Sequence, residues 1–238
     1  MATGSRAFVP KEVPIHLPGR FTMRDRGDAD ALKDYLDDSG LPVQKQHVVI
    51  VGGGLLGLEL AAALRKKGVA ISIVQRGNRL MERQLDVVAS RLLAEDVREK
   101  GIQIYFDNEV DAVFDVNEYN LNVNLKTGRE IACNAIVYSI GTLANIELAK
   151  NSGITCKRGI VVNHYLQTSD PDVFAVGEIA DFNGNLYGIT AAAEQQADIV
   201  AKFLLGDYSA IYKGSVFMNI LKFEDCLLYT SPSPRDRG

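Results

Sequence analysis

An α/β fold organised around a Rossmann-like dinucleotide-binding domain with an inserted antiparallel meander is what this sequence predicts, on three observations. Residues 47–76, HVVIVGGGLLGLELAAALRKKGVAISIVQR, pass from a short apolar run through a glycine-rich corner and an apolar helical pattern to a second apolar run, which is the order of a βαβ unit. Within that corner Gly52, Gly54 and Gly57 fall at G-x-G-x-x-G spacing. Beyond it, residues 109–133 alternate in three short segments broken by turn residues, the pattern of an antiparallel meander.

Taken in order, residues 1–43 do not open like a domain. MATGSRAFVP reads as a strand end and turn without a preceding apolar partner, so this stretch is expected to be the remnant of a domain begun upstream, plus a linker. After the prolines at 10, 14 and 18, the segment Asp28–Asp38 has Ala31, Leu32, Tyr35 and Leu36 on one helical side and stops at Gly40 before Pro42, which predicts a short bridging helix.

The corner follows. Gly52 permits the tight turn, Gly54 lets backbone approach a pyrophosphate, and Gly57 lets helix pack close to strand. Gly53, Leu55 and Leu56 fill the intervening positions, and the free N–H groups of the helix start are suited to an anionic diphosphate. Residues 47–64 are long enough for a membrane span, but four glycines and Glu59 argue against one. Glu59 lies in an apolar helical pattern, where an acid must find a partner or shift its pKa. Such units usually carry an acid about 20 positions on that binds the adenosine ribose. Here Gln75 stands 18 residues after Gly57, followed by Arg76 and Arg79. Two readings stay open: the missing carboxylate beside two arginines admits NADPH, or the arginines are ordinary solvated surface.

Asp86 is placed to cap a helix whose apolar positions Val88, Leu92, Leu93 and Val97 run to Gly101. Ile102–Phe106 reads as a strand, the meander turns at Asn117–Asn120 and Thr127-Gly128, and Ala135–Ile140 closes the domain as a buried strand ending at Gly141. From residue 151 two short strands precede an apolar one, Val173–Val176, that stops at Gly177-Glu178, and an acid at a strand's carboxyl end is where α/β sheets bind ligands. Thr190 is expected to cap a helix reaching about Gly206, and residues 212–223 begin a further strand-like unit. Residues 226–238, CLLYTSPSPRDRG, look like a translated sequencing adapter and are expected to be non-native. The boundaries are thus 1–43, 44–146, 147–209, 210–225 and 226–238.

At 238 residues and 47% apolar the chain can bury one large core or two modest ones. A net charge of −4 with both signs interspersed lacks the basic surface that grips nucleic acid or anionic lipid, so small-molecule dinucleotides are the expected partners. Cys133, Cys156 and Cys226 form no C-x-x-C pair, which argues against zinc, an iron–sulfur cluster or a redox disulfide. Free thiols in a reducing cytoplasm are expected, and no secretory leader opens the chain. His16, His47 and His164 are isolated and read as surface or packing residues, so no metal site and no catalytic side chain is assigned.

Four matches in order make the chain resemble the FAD-dependent pyridine nucleotide-disulfide oxidoreductases, flavoproteins with two dinucleotide domains, over residues 2–225. Ala2-Thr3-Gly4 is similar to the family's ATG turn in the FAD domain. Gly52 to Glu59 resembles its GGGxxGxE corner for NAD(P)H, whose glutamate lies near the nicotinamide. Ser139-Ile140-Gly141-Thr142 to Asn145 resembles its second glycine turn, and Thr168 to Glu178 its FAD ribityl motif, with Glu178 where aspartate is usual. Residues 80–86 and 212–216 are similar to segments of the family's nitrite reductase members. The resemblance implies parts of a discontinuous FAD-binding domain flanking the NAD(P)-binding one. It also implies hydride passing from NAD(P)H to FAD and electrons passing on to a downstream acceptor protein or domain. Ferredoxin and rubredoxin reductases are the alternative within the family. A nucleotide-binding module without chemistry, or a sensor flavoprotein of the same fold, are the alternatives outside catalysis. The family's first G-x-G-x-x-G, which binds the FAD phosphate, is not in this sequence.

Overall fold

A computed structural model describes residues 1–11, 13–216, 219–223 and 226–230. Its elements begin β1 (Ser5–Ala7), β2 (Arg20–Thr22), α1 (Arg26–Asp38), β3 (His47–Val51), α2 (Leu55–Lys66), β4 (Ala70–Val74), α3 (Val87–Glu99) and β5 (Gln103–Tyr105). They continue β6 (Val110–Asn117), β7 (Asn120–Leu125), β8 (Glu130–Cys133), β9 (Ala135–Tyr138), β10 (Thr142–Ala144) and α4 (Glu147–Asn151). The last are β11 (Ile160–Val162), β12 (Ala180–Phe182), β13 (Asn185–Leu186), α5 (Thr190–Leu204), β14 (Asn219–Phe223) and β15 (Cys226–Thr230). Two compact units result: one of Ala7–Gly141 with Asn219–Thr230, the other chiefly of Met1–Arg6 with Thr142–Met218.

The first unit holds a five-stranded sheet in the order β2-β9-β3-β4-β5, every pair parallel. Central β3 is a run of β-branched residues because both of its faces are covered, and Val48, Val49 and Ile50 are fully buried. One face meets helices, with Leu32 and Leu36 of α1, Leu58 and Ala61 of α2, and Leu93 and Val97 of α3 in a common core with Val48 and Ile50. The other face meets the meander β6-β7-β8, whose Leu121, Val123 and Leu125 join Val49, Val74 and Ile136. Strand β7 shows why: its buried leucines and valine alternate with the half-buried Asn120, Asn122 and Asn124, so one side is apolar and the other polar. Arg20 of β2 is buried and pairs with Asp115 of β6 at 2.7 Å, which ties the meander to the sheet. In register, Val51 lies beside Val74 and Tyr138, so three strands end together beneath the glycine corner.

Three features of this unit depart from the sequence expectations. Residues 7–43, assigned above to a flanking domain and linker, pack with the glycine corner, because the three residues of β2 extend the sheet beside β9 and α1 buries Leu32 and Leu36. In α3, Asp86 caps as expected by accepting from the Ala89 N–H at 2.8 Å, yet Val88 and Leu92 are exposed. The buried stripe is Ser90, Leu93, Ala94 and Val97, a phase in which the Ser90 hydroxyl donates to the Leu80 carbonyl at 2.7 Å. Finally, part of the stretch expected to be a non-native tail is paired: β15 runs antiparallel to β14, with Cys226 opposite Phe223. Its apolar sequence CLLYT suits a strand. Residues 231–238 lie outside the described residues.

In the second unit β1 pairs with β10, and β11-β12-β13 form a small sheet over a core that includes Ile160, Phe182 and Tyr212. The predicted strand Val173–Val176 contributes only an isolated bridge, Gln167 to Phe174. The strand beside β11 is β12 instead, which turns into β13 through Asn183-Gly184, both at positive φ (51° and 81°), the residue pair a tight hairpin favours. Thr190 begins α5 but does not cap it, since Ile189 holds the cap position without a side-chain bond. Among the described residues no helix is long and apolar enough to cross a membrane.

Candidate dinucleotide sites

The three spaced glycines do three different jobs. Gly52 has φ +113°, and a Cβ there would lie 2.2 Å from the Ser139 carbonyl oxygen, so the turn from β3 tolerates only glycine. A Cβ on Gly57 would lie 2.1 Å from the Gly52 oxygen, which is the close approach of helix to strand. Around Gly54 no protein atom lies within 4 Å of an added Cβ, so the middle glycine opens to space that a ligand can enter. Gly54 is also the N-cap of α2 and supplies no side chain to cap it. The N–H groups of Leu55, Leu56 and Gly57 therefore have no intrahelical acceptor.

Gly53 is held from both sides. Its N–H donates to Gln75 Oε1 at 2.8 Å, and its carbonyl accepts the Met81 N–H at 2.9 Å. Gln75, expected at the ribose, is buried and turned inward on this bond. Met81 is buried with φ +50°, a backbone state uncommon outside glycine, fixed by its bond to Gly53 and by the Gln84 and Leu85 N–H groups on its own carbonyl. Arg76 is exposed, and its charge helps hold Glu109 below the usual carboxylate range, after the larger effect of the Lys126 bond. Ile140 borders the corner, its Cγ2 3.4 Å from the Gly52 Cβ position, and Gly141 (φ +119°) accepts the Phe8 N–H at 2.9 Å. Glu59 is only half-buried, and its Oε1 accepts the backbone N–H of Lys222 at 3.2 Å.

The second unit gathers the other motif residues. The Thr3 hydroxyl donates to the Asn145 carbonyl at 2.6 Å, the Asn145 amide returns a bond to the Thr3 carbonyl at 2.9 Å, and the Asn145 N–H donates to the Gly4 carbonyl at 2.9 Å. Arg6 reaches Asn145 Oδ1 at 2.8 Å and Glu147 at 2.7 Å. The Ser5 hydroxyl donates to Glu178 Oε2 at 2.9 Å, across 173 residues of chain. Gly177, at φ +81°, donates its N–H to Gln196 Oε1 at 2.7 Å. Gln196 Nε2 then donates to the Tyr212 hydroxyl at 3.2 Å. Thr3, Gly4, Gly177 and Glu178 thus fall in one unit, while Gly52 to Gly57, Glu59, Gln75, Arg76, Ile140 and Gly141 fall in the other.

Sequence reasoning missed Ser5, Asn145 and Gln196 as positioning groups. A signal existed for Gln196, a fully buried amide one turn beyond Ala192 on the inner stripe of α5, where a polar group must be bonded. Burial pushes the Cys133 thiol up to about 12, so it is an inert thiol, and among the described residues no group of three acids, cysteines or histidines is placed to hold a metal.

The sequence profile of the pyridine nucleotide-disulphide oxidoreductases matches residues 1–197. A nitrite reductase (NAD(P)H) of Bacillus subtilis (strain 168) is 35% identical over 225 residues, covering 93% of this chain and 27% of the relative. The assimilatory nitrate reductase electron transfer subunit of the same organism is 34% identical, covering 93% and 28%. The chain thus spans little more than a quarter of either relative's length. Among solved structures, the ferredoxin reductase for the CYP199A2 system of Rhodopseudomonas palustris superposes with a TM-score of 0.82 at 28% identity, over 92% of this chain and 54% of that one.

Proposed function

The chain belongs to the pyridine nucleotide-disulphide oxidoreductase family, and on that premise we propose that it works as the NAD(P)H-binding and part of the FAD-binding portion of an oxidoreductase of the nitrite reductase type. The observation that carries the reading is the corner at Gly52–Gly57: open space at Gly54 in front of a helix start with unbonded N–H groups fits a pyrophosphate. Leu55 and Leu56 would face the phosphates with backbone N–H, and the β3 and β9 ends would support the nicotinamide half near Glu59, Ile140 and Gly141.

In the other unit, Thr3, Gly4, Gly177 and Glu178 would hold part of FAD, and the donor set fits: a glutamate carboxylate steadied by Ser5 can accept a hydroxyl of a ribityl chain. FAD, when bound, supplies the two-electron redox chemistry that a nicotinamide can feed. The chain's own residues need no nucleophile or general base for that transfer; their task is to bind, orient and exclude water. An electron-accepting protein or domain completes the proposal, supported by the electron transfer subunit and the ferredoxin reductase among the similar proteins. The free thiols Cys133 and Cys156 fit a reducing cytoplasm.

Parallel titration of the purified chain with NADH, NADPH and FAD tests this. Saturable nicotinamide nucleotide binding is the expected result, and binding of neither nucleotide would sink the reading. The similarity to a ferredoxin reductase favours a second reading, in which the acceptor is a small iron–sulfur protein. Reduction of ferredoxin by the FAD-loaded protein, faster than that of an artificial acceptor, would select it.

A further inference from the structure

The ribose-reading position after β4 carries no acid, and Gln75 cannot stand in for one, because its Oε1 is committed to the Gly53 N–H. A carboxylate nevertheless reaches this place from the following loop. A Cβ added to Gly77 would lie 2.2 Å from Glu82 Oε2 and 3.4 Å from Gln75 Nε2, so the Glu82 carboxylate fills the space over Gly77 beside the Gln75 amide. The loop that delivers it is fixed: Leu80 and Met81 are buried, and the Met81 N–H is bonded to Gly53. Of the two arginines nearby, Arg79 donates Nη2 to the Glu82 backbone carbonyl at 3.2 Å, and Arg76 has Glu109 for electrostatic company. Among the described residues neither arginine forms an ion pair with the Glu82 carboxylate.

We propose that Glu82 takes over the role of the missing acid and makes this site select NADH over NADPH. A carboxylate at this point accepts a hydrogen bond from an adenosine 2′-hydroxyl and repels a 2′-phosphate. The inference rests on the reading of Gly52–Gly57 as the dinucleotide corner. It resolves the ambiguity left by Arg76 and Arg79 toward the unphosphorylated nucleotide.

Dissociation constants of the full chain for NADH and NADPH, measured by nucleotide fluorescence, test it with two variants. Glu82→Gln removes the charge at an exposed residue, and the preference for NADH is expected to drop about tenfold. Gly77→Ala keeps the charge but places a methyl where the carboxylate sits, at the far end of a flexible side chain, and is expected to erode the preference in the same direction. An affinity ratio unchanged in both variants, or a native chain that prefers NADPH, overturns the proposal while leaving the dinucleotide corner standing. A native chain that binds neither nucleotide removes the corner reading and this inference with it.

Discussion

The glycine corner and the cluster around Glu178, the two places proposed to meet a dinucleotide, are built by opposite means. The corner is made by leaving side chains out at four of six consecutive residues, so that backbone meets backbone at Gly52 and Gly57 and open space remains at Gly54. The Glu178 cluster is made by adding side chains from far apart: Ser5 onto Glu178, Thr3 onto Asn145, and Gln196 onto Gly177. A site built from absences is intolerant of any added atom, whereas one built from bonded side chains loses function one bond at a time.

Substitutions can break or sharpen that contrast. The largest effect is expected for binding in Gly54→Val: its backbone (φ −87°, ψ −175°) suits valine and no protein atom stands in the way. Folding should be retained while NADH affinity drops about a hundredfold, or about 3 kcal/mol; unchanged affinity by calorimetry would move the site elsewhere. Gly57→Ala should instead cost stability, because the clash with the Gly52 carbonyl, about 3 kcal/mol, outweighs the roughly 1 kcal/mol that alanine adds to a helix. A thermal midpoint equal to that of the native chain would disprove the close approach. In the other unit, Gln196→Leu leaves the Gly177 N–H without its acceptor, a loss of about 2 kcal/mol, and should weaken FAD retention during purification; undiminished retention would separate Gln196 from the cofactor.

The smallest effect lies at the far end of β3 from the corner. His47 donates Nδ1–H to the Ala132 carbonyl at 2.8 Å, which leaves Nε2 to accept from the Ser72 hydroxyl at 2.9 Å. Burial pushes its pKa below 6.5, against a weaker upward pull from the Ala132 bond. Because the unfolded chain takes up this proton near pH 6.5 and the folded one does not, stability is full above that pH. It declines on acidification until the folded imidazole also titrates, by at most about 1.4 kcal/mol per pH unit. Thermal melts from pH 7.5 to 5.5 should show that slope in the native chain and a shallower one in His47→Gln.

The same contrast explains what was legible in the sequence. The corner could be read because its rules act over a few residues: turn, approach and packing each demand a missing side chain at a set spacing, and the apolar runs of β3, α2 and β4 flank it. Thr3 and Gly4 were reached only through resemblance, since the bonds from Thr3 to Asn145 and from Ser5 to Glu178 span 142 and 173 residues and leave no local pattern, whereas Gly177-Glu178 stood out as an acid after an apolar run. The strand predicted at Val173–Val176 failed for a related reason: an apolar run has no means of announcing that its partner is a single bridge, while Asn183-Gly184 did carry the signal of the hairpin beside it. Ser90 misled the phase of α3 because a serine satisfied by a carbonyl can hold a core position.

The strand order β2-β9-β3-β4-β5 also sets a timetable for synthesis. As the chain leaves a ribosome, β3, α2, β4, α3 and β5 can assemble at once, since each pairs with a neighbour already made. Strand β2, though synthesised before the other four strands of this sheet, has no place until β9 arrives after the whole meander, and until then β3 exposes an apolar edge at Val48–Val51 to any other strand in reach. The nascent domain is therefore most open to mispairing in the interval when the meander is being translated, and the arrival of four residues, Ala135–Tyr138, closes that window from both sides at once.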